Sequence, residues 1–167
     1  MDFSSILTAP NIEIFLKLFT ALVLGMLLGI ERAIVGKTAG MRTYGLVTRG
    51  SALFVIIGVT AGGGFDSERG SLESLRFTTQ IITGIGFLGA GLIFFQGGKM
   101  SGVTTAAGIW VAAGVGMAIG YGYYVLAFFT TILALLIFTL LWHIENGLKK
   151  FVHHDEASHQ KDPNTDA

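Results

Sequence analysis

Long apolar runs alternate with short polar breaks along this chain. A membrane-spanning helix takes about 20 largely apolar residues, and the pattern supplies five candidates. The first covers residues 12–30 and opens just after Pro10-Asn11. The second covers residues 44–62 and closes on Gly62-Gly63-Gly64. The third covers residues 77–96. From Met100 to Ile144 there is no Asp, Glu, Lys or Arg, a stretch too long for one span. Gly120-Tyr121-Gly122 divides it into residues 103–119 and 123–142. The pattern therefore predicts an all-α polytopic membrane protein with five transmembrane helices in residues 1–148. The last residues, 149–167, contain HHDEASHQKDPNTDA, too polar to pack, and are expected to form a disordered tail.

Composition agrees. Of the 167 residues, 51% are hydrophobic and only 13% charged, where soluble domains carry about 25%. Net charge is formally zero, which gives no ground for nucleic-acid binding. Cysteine is absent, so disulfides, thiolate metal sites and a Cys nucleophile are excluded. The N-terminal MDFSSILTAP has no basic residue, unlike the start of a cleaved signal peptide, so the first helix is expected to stay in the mature protein.

Charge also sets an orientation. Arg32, Lys37, Arg42, Arg49, Lys99, Lys149, Lys150 and Lys161 fall on one side of the five-helix layout, and Lys17, Arg69 and Arg76 on the other. The positive-inside rule places the richer side in the cytoplasm, with the N-terminus outside and the tail inside. Asp2, Glu13, Asp66, Glu68 and Glu73 make the outer side mildly acidic. Glu13 and Lys17 stand one turn apart, where they can pair or snorkel to the interface.

The third candidate contains TGIGFLGAG, in which Gly84, Gly86 and Gly89 spell the G-x-G-x-x-G of dinucleotide loops. That motif needs a strand before it, a helix after it and an acid about 20 residues on. No charged residue lies between Phe77 and Gly98, and the next after Lys99 is Glu145. The cofactor reading fails, and the glycines are read as packing residues. Helices in lipid associate through close approach of small residues. On a helical wheel Gly84 and Gly91 share one side, and Gly86, Gly89 and Ala90 the opposite one, so this helix is expected to be sandwiched between neighbours. The same packing logic applies to Gly25/Gly29, Gly58/Gly62 and Ala112/Gly116/Gly120, which stand at four-residue steps elsewhere. The rival reading is a helix broken at its glycines, with freed carbonyls lining an ion path.

The polar residues that could carry function lie mostly in GMLLGIERAIVGKTAGMRTYGLVTR. Glu31 and Arg32 end the first helix; Lys37, Arg42 and Arg49 follow. Arg49 falls inside the second span and must snorkel or find a partner. Glu31 is the nearby acid, so a pair with Arg42 or Arg49 is expected. This face reads either as the positive-inside signal plus one structural ion pair or as a cationic site for phospholipid or a partner protein. Deeper in the spans, Gln80 needs a partner across helices, whereas Thr104 and Thr105 can bond their own helix. Trp110 and Trp142 are packing residues or interfacial anchors. His153, His154 and His159 have no acid or Cys framework to fix a metal geometry. A nucleophile with its base, a metal ligand set and a paired-acid arrangement are all missing. The expectation is a protein that is not an enzyme, with no catalytic residue, cofactor or metal.

Three of these segments resemble the MgtC/SapB family of bacterial inner-membrane proteins. GIERAIVGKTAGMRT is similar to its first loop through Glu31, Arg32, Gly36, Lys37, Gly40, Arg42 and Thr43. QIITGIGFLGAG is similar to its third-helix signature through Gln80, Gly84, Gly86, Phe87, Leu88, Gly89, Ala90 and Gly91. GVTTAAGIWVAAGVGMAIG is similar to its fourth helix through Thr104, Thr105, Ala106, Ala107 and Trp110. The family's Asp-Pro pair before the third helix is replaced here by SLESLR. The resemblance implies a multi-pass protein of the bacterial inner membrane, in a short form without the soluble C-terminal domain of longer members. It implies a role in growth at low magnesium, acid stress or survival inside a host, exerted on other membrane proteins, with ATP synthase suggested as a partner. Homo-oligomerisation stays open. The alternative is a Mg²⁺ or other cation transporter. Mg²⁺ sites use carboxylates, and Glu31 is the inward-facing acid near a helix end. The two readings part at the third helix: continuous for packing, broken for transport.

Overall fold

The structure, a computed structural model, describes residues 9–64, 67–96 and 98–141. Among the described residues there are five α-helices: α1 (Ala9–Ile34), α2 (Met41–Ala61), α3 (Glu68–Leu92), α4 (Val103–Gly120) and α5 (Tyr124–Leu136). A π-helical turn, Ile137–Leu141, prolongs α5. α2 is the central helix and packs on α1, α4 and α3, while α5 packs on α4 and α1. The core is mostly small and β-branched residues, among them Ala21, Ala52, Val55, Ile109, Ala112 and Ile119, joined by Leu24, Leu28, Tyr44 and Phe138. α1, α2 and α4 are long and apolar enough to cross a membrane; α5 is apolar but shorter.

One recurrent device ends the helices. After α1, α2 and α4 the chain turns through Gly36, Gly63 and Gly122, each with positive φ. Lys37, Gly64 and Tyr123 then donate their N–H groups back to the carbonyls of Arg32, Val59 and Ala118. This is the glycine cap that satisfies the last carbonyls of a helix. It accounts for the breaks expected after the second and fourth helices.

The third helix departs from expectation at both ends. It starts at Glu68 rather than Phe77 because Ser67 caps it, accepting from the Gly70 N–H at 2.9 Å. The Ser67 hydroxyl also donates to the Gly62 carbonyl at 2.7 Å, tying α3 to the end of α2. The earlier start adds Glu68, Arg69, Glu73 and Arg76, so α3 is long but less apolar than its neighbours. At the other end it stops at Leu92. Residues expected in the helix form strand β1 (Phe94–Gln96), paired antiparallel with β2 (Lys99–Ser101), with Gln96 opposite Lys99 at the turn. Gly98, at φ +76°, supplies the left-handed conformation such a turn demands.

The glycine pairs of α1, α2 and α4 pack as expected. A β-carbon at Gly25 would collide with the Thr48 side chain, and one at Gly29 with the backbone of Met41, so α1 rests directly on α2. Gly58 and Gly62 receive Phe77 and Gly70 of α3 in the same way. Gly116 and Gly120 of α4 face the Thr48 carbonyl and Val55 of α2. The sandwich expected for α3 does not form in the single chain. Of its signature glycines Gly89 is the buried one, 3.7 Å from the Ala106 methyl when given a β-carbon, while Gly84, Gly86 and Gly91 have nothing within 4 Å. α2 and α4 pack on α3, whose buried residues Ile81, Ile85 and Gly89 share one side, and Gly84, Gly86 and Gly91 lie away from that side. The terminal residues 142–167, with Trp142, the tail and its histidines, lie outside the described residues.

Candidate functional site

Four helices meet at one end of the bundle around Arg32. The side chain, 3% exposed, is turned inward from the last turn of α1. Its guanidinium stacks over the Phe138 ring, 3.9 Å from the centroid, and donates to the Phe138 carbonyl at 3.4 Å. Its Nε donates to the carboxylate of Glu31. A buried guanidinium requires both a counter-charge and hydrogen-bond acceptors. Here α1 supplies the charge, and the π-helical turn after α5 supplies the ring and the carbonyl. Single π-helical turns of this kind recur at functional sites.

Tyr44 closes the cluster from α2. It is fully buried and donates its hydroxyl to the backbone carbonyl of Thr105 in α4 at 3.4 Å. Gly108, one turn further along α4, lies under both rings: a β-carbon there would strike the Tyr44 hydroxyl and the Phe138 ring. One glycine thus lets α2, α4 and α5 converge beside Arg32. Thr48, one turn along α2, donates to the Tyr44 carbonyl at 2.8 Å and lies under Gly25.

The residues singled out in the sequence divide into two groups. Glu31, Arg32 and Thr105 come together in this cluster. Glu31 is paired with its neighbour Arg32, not with Arg42 or Arg49 as expected. Arg32 faces the interior and takes the nearest carboxylate, while the other two arginines sit on the outer side of α2. Lys37, Arg42, Arg49, Gln80, Gly84, Gly86, Gly91, Thr104 and Trp110 are all exposed on the outside of the chain. Gln80 borders a cleft of about 430 Å³ between α2 and α3, with Ser51, Phe54, Ile81 and Gly84, and none of the described residues bonds its amide. Trp110, 56% exposed, stands mid-helix on the outer side of α4.

Tyr44 and Phe138 escaped the sequence reading. Each sits in an apolar run whose periodicity is obscured by hydrophobic residues on every side, so nothing in the pattern marks one ring as a lid over a cation. At the opposite end of the bundle, the expected pair does form. Lys17, 8% exposed, meets Glu13 at 2.9 Å, and the Thr78 and Tyr121 hydroxyls lie 2.7 Å apart.

Residues 18–147 match the MgtC family. Among curated relatives, YhiD of Escherichia coli is 36% identical over 75% of this chain, and SapB of Bacillus subtilis 38% identical over 77%. MgtC of Salmonella typhimurium is 41% identical over 57%. The matches cover 59%, 54% and 38% of those proteins, so the chain spans about half the length of the relatives it matches. No solved structure matches it.

Proposed function

The chain belongs to the MgtC family, and from that premise we propose that it is a non-enzymatic modulator of other membrane proteins during adaptation to low magnesium, acid stress or a host. In this reading the chain crosses the bacterial inner membrane five times, N-terminus outside and tail in the cytoplasm. α3 and α5 complete the set begun by α1, α2 and α4. The succession of five helices joined by short connections supports it, as does the grouping of Arg32, Lys37, Arg42 and Lys99 beside the α1–α2 and α3–α4 connections.

One observation carries the proposal. α3 is unbroken from Glu68 to Leu92, and Gly84, Gly86 and Gly91 on it are open. An unbroken helix keeps its carbonyls bonded within itself and offers no oxygen ladder to an ion. Bare small residues, Gly84 and Gly91 on one flank of α3 and Gly86 on the other, are instead places where a foreign helix can approach closely. The carboxylate at the basic end, Glu31, is already engaged by Arg32, which lowers its use as a Mg²⁺ ligand. The partner that the family resemblance suggests is a membrane complex such as ATP synthase.

The transport reading survives as the competitor because one relative, YhiD, is named a candidate magnesium transporter. Reconstituted liposomes holding a Mg²⁺ indicator distinguish the two under an imposed gradient. The expected result is no flux above empty liposomes from folded protein. Flux that disappears in Gln80→Leu would overturn the modulator.

A further inference from the structure

Arg42 and Arg49 are seven residues apart on α2, two turns, and so leave the helix on the same side. Leu46, Leu53 and Ile57 share that side, and all five residues are exposed. The packed side of α2, with Tyr44, Thr48, Ala52 and Val55, is opposite. Neither arginine has an ion pair or hydrogen bond among the described residues, and the acid nearest in sequence, Glu31, is taken by Arg32.

Depth makes this arrangement informative. Arg49 lies about 12 Å along the axis from Met41, well inside a helix apolar enough to span a bilayer. An intramembrane guanidinium facing outward is costly unless it reaches a counter-charge. Its Cα–Cβ bond tilts toward the helix N-terminus, back toward Arg42 and the headgroup layer at that end of the bundle. Both guanidinium groups therefore lean on one small region where hydrocarbon meets headgroups. Leucines at positions 46 and 53 line the approach with apolar surface suited to acyl chains.

We propose that Arg42 and Arg49 together bind the phosphate of an anionic phospholipid, of the phosphatidylglycerol or cardiolipin class, with its chains lying along Leu46 and Leu53. Guanidinium forks match phosphate oxygens in pairs, which an ammonium does not. A zwitterionic lipid offers the same phosphate but cancels its charge with an ammonium. Lys37, exposed in the loop before α2, belongs to the general positive field of this end and not to the site. The inference stands apart from the proposed function: it holds whether the chain modulates a partner or moves an ion.

The full chain, placed in bilayers of phosphatidylethanolamine and phosphatidylglycerol in equal parts, is released and weighed with its retained lipid by native mass spectrometry. The wild type should retain phosphatidylglycerol over phosphatidylethanolamine. Each basic residue near a charged surface contributes on the order of a fivefold preference. Arg42→Gln/Arg49→Gln should therefore remove most of the preference, and Lys37→Gln should keep it. Should the double glutamine variant fail to fold, Arg42→Lys/Arg49→Lys holds the charge without the forks and should still lose part of the selectivity. Three results would each overturn the proposal: no preference in the wild type, an equal loss in Lys37→Gln, or displacement of the lipid by millimolar inorganic phosphate. The last would make it a site for free phosphate.

Discussion

The glycines of α4 and those of α3 look alike in sequence and behave differently in the fold. Gly116 and Gly120 lie against α2 so closely that a methyl group would meet the Thr48 carbonyl or the Val55 side chain. Gly84, Gly86 and Gly91 meet nothing within 4 Å. Both sets are small residues of the kind that let helices pair closely in lipid. A glycine on a helix interior costs up to about 1 kcal/mol against alanine. In α4 that cost is offset inside the chain by close packing. In α3 no contact within the chain offsets it at Gly84, Gly86 and Gly91, and these open positions are what the functional proposal rests on.

The same substitution in the two helices makes the sharpest test. Gly116→Ala should destabilise the chain by about 3 kcal/mol, because the new carbon is driven into a backbone carbonyl that cannot rotate away. Unfolding titrations in mixed micelles would register the loss. A stability equal to wild type would show that α2 and α4 do not approach as described. Next in size, Arg32→Ala removes a buried cation from under Phe138 and leaves Glu31 half-buried without its partner, a loss of about 2–3 kcal/mol. Phe138 should become more accessible, and proteolysis just beyond it should quicken. An unchanged cleavage rate would mean that Arg32 does not hold the end of α5. Smallest of all, Gly86→Ala should leave the single chain as stable as wild type or up to about 1 kcal/mol more so. Any defect should appear only where a partner helix must dock, as loss of co-purification of the partner complex. Destabilisation matching that of Gly116→Ala would erase the distinction between the two helices.

Much of the fold was legible because it rests on periodicity and punctuation. Five helices, the breaks at Gly62-Gly63-Gly64 and Gly120-Tyr121-Gly122, the Glu13–Lys17 pair and the close contacts of Gly25, Gly29, Gly58, Gly62, Gly116 and Gly120 all follow from local pattern. The early start of α3 did not, because a single serine cap outweighed the charged turn that followed it. The hairpin after Leu92 was hidden because Phe94, Phe95 and Gln96 are as plausible at a helix end as in a strand. The candidate site was half legible: Glu31 and Arg32 stand out as charges at the end of an apolar run, but their surroundings do not.

By itself the sequence determined that the chain is helical, that its helices suit lipid, that small residues mediate their contacts and that one end is basic. Those properties depend on residue type and spacing along one dimension. Only the tertiary structure decided which glycines are used within the chain, which arginine is buried and which partner Glu31 takes. Each of those depends on which side of a helix meets a neighbour. In a chain apolar on every side, the hydrophobic pattern no longer marks that side, and the choice falls to close packing among residues distant in sequence.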